Sequence, residues 1–215
     1  MRMKWVLRSL LVLVSVLVVS VMGLWFASNR SDAGRMRGSI EIARPLDVVW
    51  PWMTEPARLT QWVGWLVAVE PDSTTPAEGI GHRETWVMND PRMKDMLYVP
   101  GTITLWEPPN QMGVHVELPG MFTGDVLYKL TDAGGGRTRV EQDGRFRYEG
   151  QLAKLLEPMV TPDAMRKLVA DLNRLRQKVE AEPFTPDPDP GADADSTMAD
   201  SLAVGANPDS SARAQ

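Results

Sequence analysis

The chain of 215 residues has room for one domain of ordinary size plus appendages, and its formal net charge is −5. Residues 1–37 hold six Lys or Arg against one Asp, residues 38–182 hold 16 basic against 21 acidic side chains, and residues 183–215 hold one Arg against six Asp. The mixed, mildly acidic body offers no field to neutralise a phosphate backbone, which argues against nucleic acid as a partner, and the lack of cysteine excludes disulfides, thiolate catalysis and cysteine metal sites.

The N-terminus opens with Arg2, Lys4 and Arg8, and no charge follows from Leu10 to Phe26. Trp5 and Trp25 bracket this run as interfacial aromatics do at the two faces of a bilayer. The 22 residues from Trp5 to Phe26 would reach roughly 33 Å as a helix, enough for a hydrocarbon core of about 30 Å. The run is longer than the apolar region of a usual signal peptide, so it reads as an uncleaved anchor; cleavage after Ala33 is the open alternative. Arg30, Arg35 and Arg37 nearly balance the basic residues before the span. The basic-then-apolar order places the N-terminus in the cytoplasm and the body outside it, in the periplasm of a Gram-negative cell.

Residues 30–37 read as a polar linker. Ser39–Ala43 alternates as a strand, with Ile40 and Ile42 on one face. Residues 46–53 read as a short helix carrying Val49, Trp50 and Met53 on one side, with Pro51 as an internal defect. A second short helix starts at Pro56. Val48 to Leu66 thus holds four of the chain's eight tryptophans, Trp50, Trp52, Trp62 and Trp65. Packing of the two helices over the sheet is the expected role, with Trp52 or Trp62 at a cavity entrance or membrane surface as the alternative. Stacking on single-stranded nucleic acid would need basic companions, and this stretch has only Arg58.

Strands then follow in series. They cover residues 65–71, 79–88, 95–109 broken at Pro100-Gly101, and 111–120, where Met112, Val114, Val116 and Leu118 share a face. A hairpin over 122–148 turns at Gly134-Gly135-Gly136. Met165, Leu168, Leu172, Leu175 and Val179 form a one-sided helical stripe. Thr161-Pro162-Asp163 reads as its N-cap and first turn, and an earlier helical turn around Leu152, Leu155 and Leu156 joins it through a kink at Pro158 to Pro162. From Pro183 the composition is that of a disordered acidic tail; its "DPDPGADAD" lacks the acid spacing of a calcium loop.

The stretches "IEIARPLDVVWPWMTEPARLTQW" and "GDVLYKLTDAGGGRTRVEQDGRFR", followed by the Leu-rich helix, resemble the SRPBCC superfamily, also called START-like or helix-grip, and its polyketide cyclase/dehydrase group. The resemblance covers residues 38–182. It implies an α+β helix-grip fold, a curved antiparallel sheet wrapped around a long C-terminal helix with an apolar cavity between them. The N-terminal transmembrane helix (residues 1–29) and the tail (183–215) are additions.

The chemistry is sparse. His82-Arg83-Glu84 and His115-Val116-Glu117 could together supply metal ligands. However, alternation sends His115 and Glu117 outward while His82 and Glu84 share a face with Ile80, Trp86 and Met88. No metal site is therefore expected, and no cofactor is implied. His82 and Glu84 remain weak candidates for acid-base work, with a satisfied polar pair at the sheet's rim as the plainer reading. In the hairpin, Arg139, Glu141, Asp143, Arg145 and Arg147 form a charged solvent face. Trp86, Tyr128, Gln142 and Tyr148 are left as the ligand-binding candidates. "GIGHRE" lacks the third glycine of a dinucleotide fingerprint. The expectation is a membrane-anchored domain that binds a hydrophobic small molecule or lipid. One alternative is a cyclase/dehydrase-like enzyme using His82 or Glu84 as base and Tyr128 as oxyanion donor; another is a scaffold acting through the tail.

Overall fold

The computed structural model describes residues 2–29, 34–91 and 93–184. Helix α1 (Arg2–Ser28) leads into β1 (Arg35–Ile42), α2 (Leu46–Thr54) and α3 (Pro56–Trp62). The strands β2 (Leu66–Pro71), β3 (Arg83–Met88), β4 (Leu97–Glu107), β5 (Gln111–Leu118), β6 (Phe122–Asp132) and β7 (Thr138–Tyr148) precede α4 (Gln151–Ala181). Helix α1 is long and apolar enough over Lys4–Ser28 to cross a membrane. The acidic tail from residue 185 lies outside the described residues, as does the possible cleavage point after Ala33.

All seven strands form one antiparallel sheet in the order β1-β7-β6-β5-β4-β3-β2. The first two strands in sequence lie at opposite edges, so α2 and α3 must carry the chain across one face. The meander then walks back until β7 pairs with β1, Gly38 opposite Gln142. Helix α4 returns over β1. Gly38 is what permits this approach, because a Cβ there would come within 2.8 Å of Leu172 Cδ1.

The core lies between the sheet's inner face and the three helices behind it. Ile42, Leu130, Val140, Leu175 and Val179 are fully buried, and the stripe expected on α4 packs inward from Leu168 to Val179. On α2 the buried set is Val49, Trp52 and Met53, which corrects the expected Val49, Trp50 and Met53. Spacing of three and four places Trp52 over Val49, while Trp50 stands at the margin, edge-on to Trp106 at 5.3 Å. Trp62 is 2% exposed and its Nε1 donates to the Trp52 carbonyl at 2.8 Å. Trp52 Nε1 donates to Glu182 Oε2 at 2.8 Å, beneath the Arg58 guanidinium. Both indoles are buried, so half of the four-tryptophan cluster is core, with Trp50 packed at its margin.

Three further expectations are corrected. β4 runs unbroken through Pro100-Gly101, Pro100 pairing with Thr85 and Gly101 with Val116. β3 starts only at Arg83, because Gly79 and Gly81 take φ of 87° and 85° and turn the chain. That turn leaves Ile80 exposed and not inward. Finally, α4 is one helix from Gln151, and Thr161 is no cap: its hydroxyl donates to Glu157 Oε1 at 2.6 Å inside the helix. Helical residues on both sides satisfy enough of the ladder for Pro158 and Pro162 to be carried within it.

On the outer face, β1 and β7 are laced by charge. Asp143 accepts from Arg35 and Arg37, each at 2.8 Å, and Glu41 accepts from Arg137 and Arg139. The bond from Arg35 leads in holding the Asp143 carboxyl down to about 2 from an ordinary 3.8, against the opposing effect of burial. A depressed folded value contributes stability above 3.8 that is lost as pH falls through about 2. Asp143→Asn should therefore flatten the acid limb of a urea-midpoint-versus-pH curve in that window. Because Arg37 is exposed, added salt should shrink the difference.

Candidate functional site

The inner face of the sheet beyond α4 carries the polar candidates. Tyr128 is flanked in register by Met112 on β5 and Gln142 on β7. It is 6% exposed, and its hydroxyl has no hydrogen-bond partner among the described residues while keeping some accessible surface. Burial pushes the phenol's pKa up, and the negative charges of Asp171 and Glu84 push it further, so the group stays a neutral donor. Asp171 had not been singled out. It lies on α4 within the apolar stripe, accepts from Gly64 N–H at 3.0 Å and from Arg174 at 3.1 Å, and pairs with Lys167. An acid between Leu168 and Leu172 on a buried stripe was the signal available.

Three strands away, on and just before β3, stand His82, Glu84 and Trp86. Glu84 Oε1 accepts from Trp86 Nε1 at 2.5 Å. His82 Nδ1 lies 2.7 Å from the Pro76 carbonyl, which can only accept, so the ring proton is on Nδ1. Nε2 then faces Glu84 Oε2 at 3.6 Å, with both side chains about nine-tenths buried. Gly101 leaves room beside this carboxylate, since a Cβ there would meet Glu84 Cγ at 3.8 Å. The group can hold a proton between imidazole and carboxylate and can accept from a ligand's donor. His115 faces the opposite side and bonds Asp125 at 2.7 Å. The two His-x-Glu pairs are thus separated, and among the described residues no three metal-ligating side chains converge.

Tyr148 is on the same face as Tyr128 and Gln142 but at the far end of β7. It lies six residues from Gln142, roughly 20 Å along the strand. Burial raises its pKa, opposed by a hydrogen bond with Thr161 and reinforced by the Glu157 charge. Glu157 is buried and accepts from Gly34 N–H at 2.8 Å. Between Gln142 and Tyr148, Phe146 lies flat over Gly124 and Gly144, whose missing Cβ atoms make space for its ring. Phe122 meets Phe146 edge-on at 5.7 Å. A hollow of about 560 Å³ adjoins this end, bordered by Phe146, Tyr148, Glu157 and the last residues of α1. The structure therefore joins Tyr128 with Gln142, and His82 and Glu84 with Trp86, and it places Tyr148 apart from both.

The order of elements and the sheet gripping its last helix have counterparts among known proteins. The family model described as "Polyketide cyclase / dehydrase and lipid transport" matches residues 33–180. A protein of Thermus thermophilus is 16% identical, with a TM-score of 0.57 over 70% of this chain and 99% of its own. A conserved protein of Geobacillus kaustophilus is 15% identical, with a TM-score of 0.56 over 67% of this chain and 94% of its own. Ara h 8.0201 is 14% identical, with a TM-score of 0.51 over 67% of this chain and 96% of its own. At such identities these likenesses speak for the fold alone. No curated protein matches the chain.

Proposed function

We propose, from the premise that this chain belongs to the polyketide cyclase/dehydrase and lipid transport family, that it is a membrane-anchored domain binding a hydrophobic small molecule or lipid between the inner face of its sheet and α4. The carrying observation is Tyr128: a side chain 6% exposed whose hydroxyl is kept neutral and is bonded by no described residue, on an inner face it shares with Gln142 and Glu84. A ligand's polar end can bond this hydroxyl in place of water, worth about 1 kcal/mol as one neutral hydrogen bond. In this reading the apolar part of the ligand lies over Val126, Val116 and Trp86. Gln142 and Glu84 complete the polar end, and Tyr148 borders the apolar end near the hollow. Helix α1 is the anchor, the link is residues 30–34 and not the expected 30–37 because β1 already starts at Arg35, and residues 35–182 are the binding domain. The N-terminus lies in the cytoplasm and the domain outside, with residues 183–215 as an acidic tail. An anchor suits an apolar ligand because it keeps the domain at the ligand's reservoir.

A second reading, a cyclase/dehydrase-like enzyme, is favoured by the His82–Glu84 geometry, in which the carboxylate would take a proton from the substrate. The scaffold reading rests on the tail alone.

The test is native mass spectrometry of the full chain released gently from membranes in detergent, with extraction and identification of what remains bound. A stoichiometric apolar molecule is the expected result. A chain that emerges empty and gains no mass when offered total membrane lipid would sink the binding reading.

A further inference from the structure

The end of the domain nearest α1 carries an exposed apolar surface that the core does not use. Leu152, Leu156, Met159 and Val160 are 69%, 39%, 64% and 41% exposed. Their spacing of four, three and one puts them on one stripe along the first turns of α4. The opposite side of the same turns carries Glu157 and Thr161, both buried. Lys154, the one basic residue in these turns, sits away from the stripe. Next to it the β5–β6 turn exposes Met121, whose carbonyl accepts from Glu149 N–H at 2.9 Å, and Gly120 N–H donates to the Glu149 carboxylate at 2.8 Å. Helix start and turn tip are thus bonded into one surface.

The anchor ends at that surface. Leu24, Ala27 and Ser28 are the half-buried positions of α1, while the apolar run before them is exposed. Ser28 and Asn29 border the hollow together with Gly150, Lys154 and Glu157. The Gly34 N–H bond to Glu157 fastens the chain to α4 soon after α1 ends, which leaves little slack for the domain to lift away from whatever α1 spans.

We infer that this end of the domain rests on the bilayer: the Leu152–Leu156–Met159–Val160 stripe and Met121 lie in the lipid interface beside the emerging anchor, and the hollow lined by Phe146 and Tyr148 opens onto lipid. The occupant of the stripe is the membrane, because the same short segment that leaves α1 is bonded to the helix bearing the stripe. A water-facing stripe of this kind would be left uncovered beside a reservoir of hydrocarbon. An apolar ligand would then pass between bilayer and inner face without crossing water. The inference rests on reading α1 as an anchor.

The lack of native cysteine makes the test direct. Single Cys variants of the full chain, Met159→Cys, Leu17→Cys within α1 and Lys129→Cys on the outer face, are labelled with an environment-sensitive fluorophore. They are then reconstituted into phosphatidylcholine vesicles with or without a nitroxide high on the acyl chain. All three side chains are exposed, so folding should be kept, and near-ultraviolet circular dichroism checks it. The expected result is that the label at 159 shifts to the blue and loses most of its emission to the nitroxide, while the label at 129 keeps a water-like spectrum. Quenching at 17 with a water-like, unquenched label at 159 overturns the inference and leaves the anchor standing. A blue-shifted label at 159 that the nitroxide does not quench means that protein, such as a second copy, covers the stripe, and this also overturns it. No quenching at 17 removes the anchor and the inference together.

Discussion

Asp171→Ala is expected to destabilise the domain by about 3 kcal/mol, the low end of the cost of removing one partner from a buried charge network. Asp171 is 7% exposed, and it alone takes the Gly64 N–H, Arg174 and Lys167 together. Its loss leaves the half-buried Gly64 amide unpaired and two cations facing each other near the Trp62 carbonyl, to which Arg174 also donates at 2.6 Å. The figure stays at the low end because Arg174 is 42% exposed and can turn to water. The next residue, Trp65, has φ of 71°, with the Lys167 ammonium 5.0 Å above its ring. A non-glycine residue in the left-handed region is held there at a cost of about 1–2 kcal/mol, so this corner should loosen first. Asp171→Asn keeps an acceptor for Gly64 and should cost about 1 kcal/mol. Thermal melts of the full chain in detergent measure both. A second readout separates charge from packing. The chain has three tyrosines, and Tyr98 is exposed. In the native protein Tyr128 should ionise last, because its raised pKa comes from burial first and then from Asp171 and Glu84. In Asp171→Asn its phenolate band should appear at lower pH than in the parent. A phenol raised in the folded state contributes stability that is present below pH about 10 and lost above it. The alkaline limb should therefore be shallower in the variant. Equal Tyr128 titration in both proteins would mean that Asp171 does not reach the inner face.

The strands that were legible from the chain are those whose two faces meet different surroundings. On β5, β6 and β7 Met112, Val114, Val126, Leu130 and Val140 face the core and Glu141, Asp143 and Arg145 face water, so a period of two survives in the composition. Elements governed by backbone geometry were misread. Ile80 looked like a strand residue, yet Gly79 and Gly81 needed only their positive φ to turn the chain out of the strand pattern. Pro100 and Pro162 look like breaks, but an interrupted ladder is tolerated where neighbouring strands or turns hold the chain. The same holds for the site. Tyr128, Gln142, Glu84 and Trp86 follow from alternation, which tells which face a side chain takes and not what it meets. Tyr148 obeys that rule and still lies roughly 20 Å from Gln142. Glu157 and Asp171 escaped because long acidic side chains on a helix usually mean solvent. Their spacing with Thr161, Leu168 and Leu172 marked the buried face of α4, and the unfilled need of Gly34 and Gly64 for an acceptor became visible only with the tertiary fold.

Glu84→Gln and Tyr128→Phe together separate the two functional readings. Tyr128→Phe removes a hydroxyl that no described residue bonds, so stability should move by no more than about 0.5 kcal/mol. Affinity for the ligand identified by mass spectrometry should fall about tenfold, the cost of one neutral hydrogen bond formed only in the complex. Glu84→Gln keeps the volume and an acceptor for the Trp86 indole, but the carboxylate's charge, and with it the ability to take a proton beside His82 Nε2, is gone. For a binding domain this variant should lose affinity by no more than the phenylalanine variant does, and the bound molecule should be recovered chemically unchanged from both. For an enzyme, a group that accepts a proton in the transition state contributes about 10²–10⁴-fold. Glu84→Gln should then collapse conversion of the bound molecule while leaving its affinity nearly intact. Isothermal titration with the extracted molecule, followed by mass analysis of that molecule after long incubation with each protein, gives both numbers from one sample. Unchanged affinity in Tyr128→Phe would remove Tyr128 from the site. A parent protein that converts the molecule and a Glu84→Gln protein that only holds it would transfer the argument from binding to catalysis, with the carboxylate as its base.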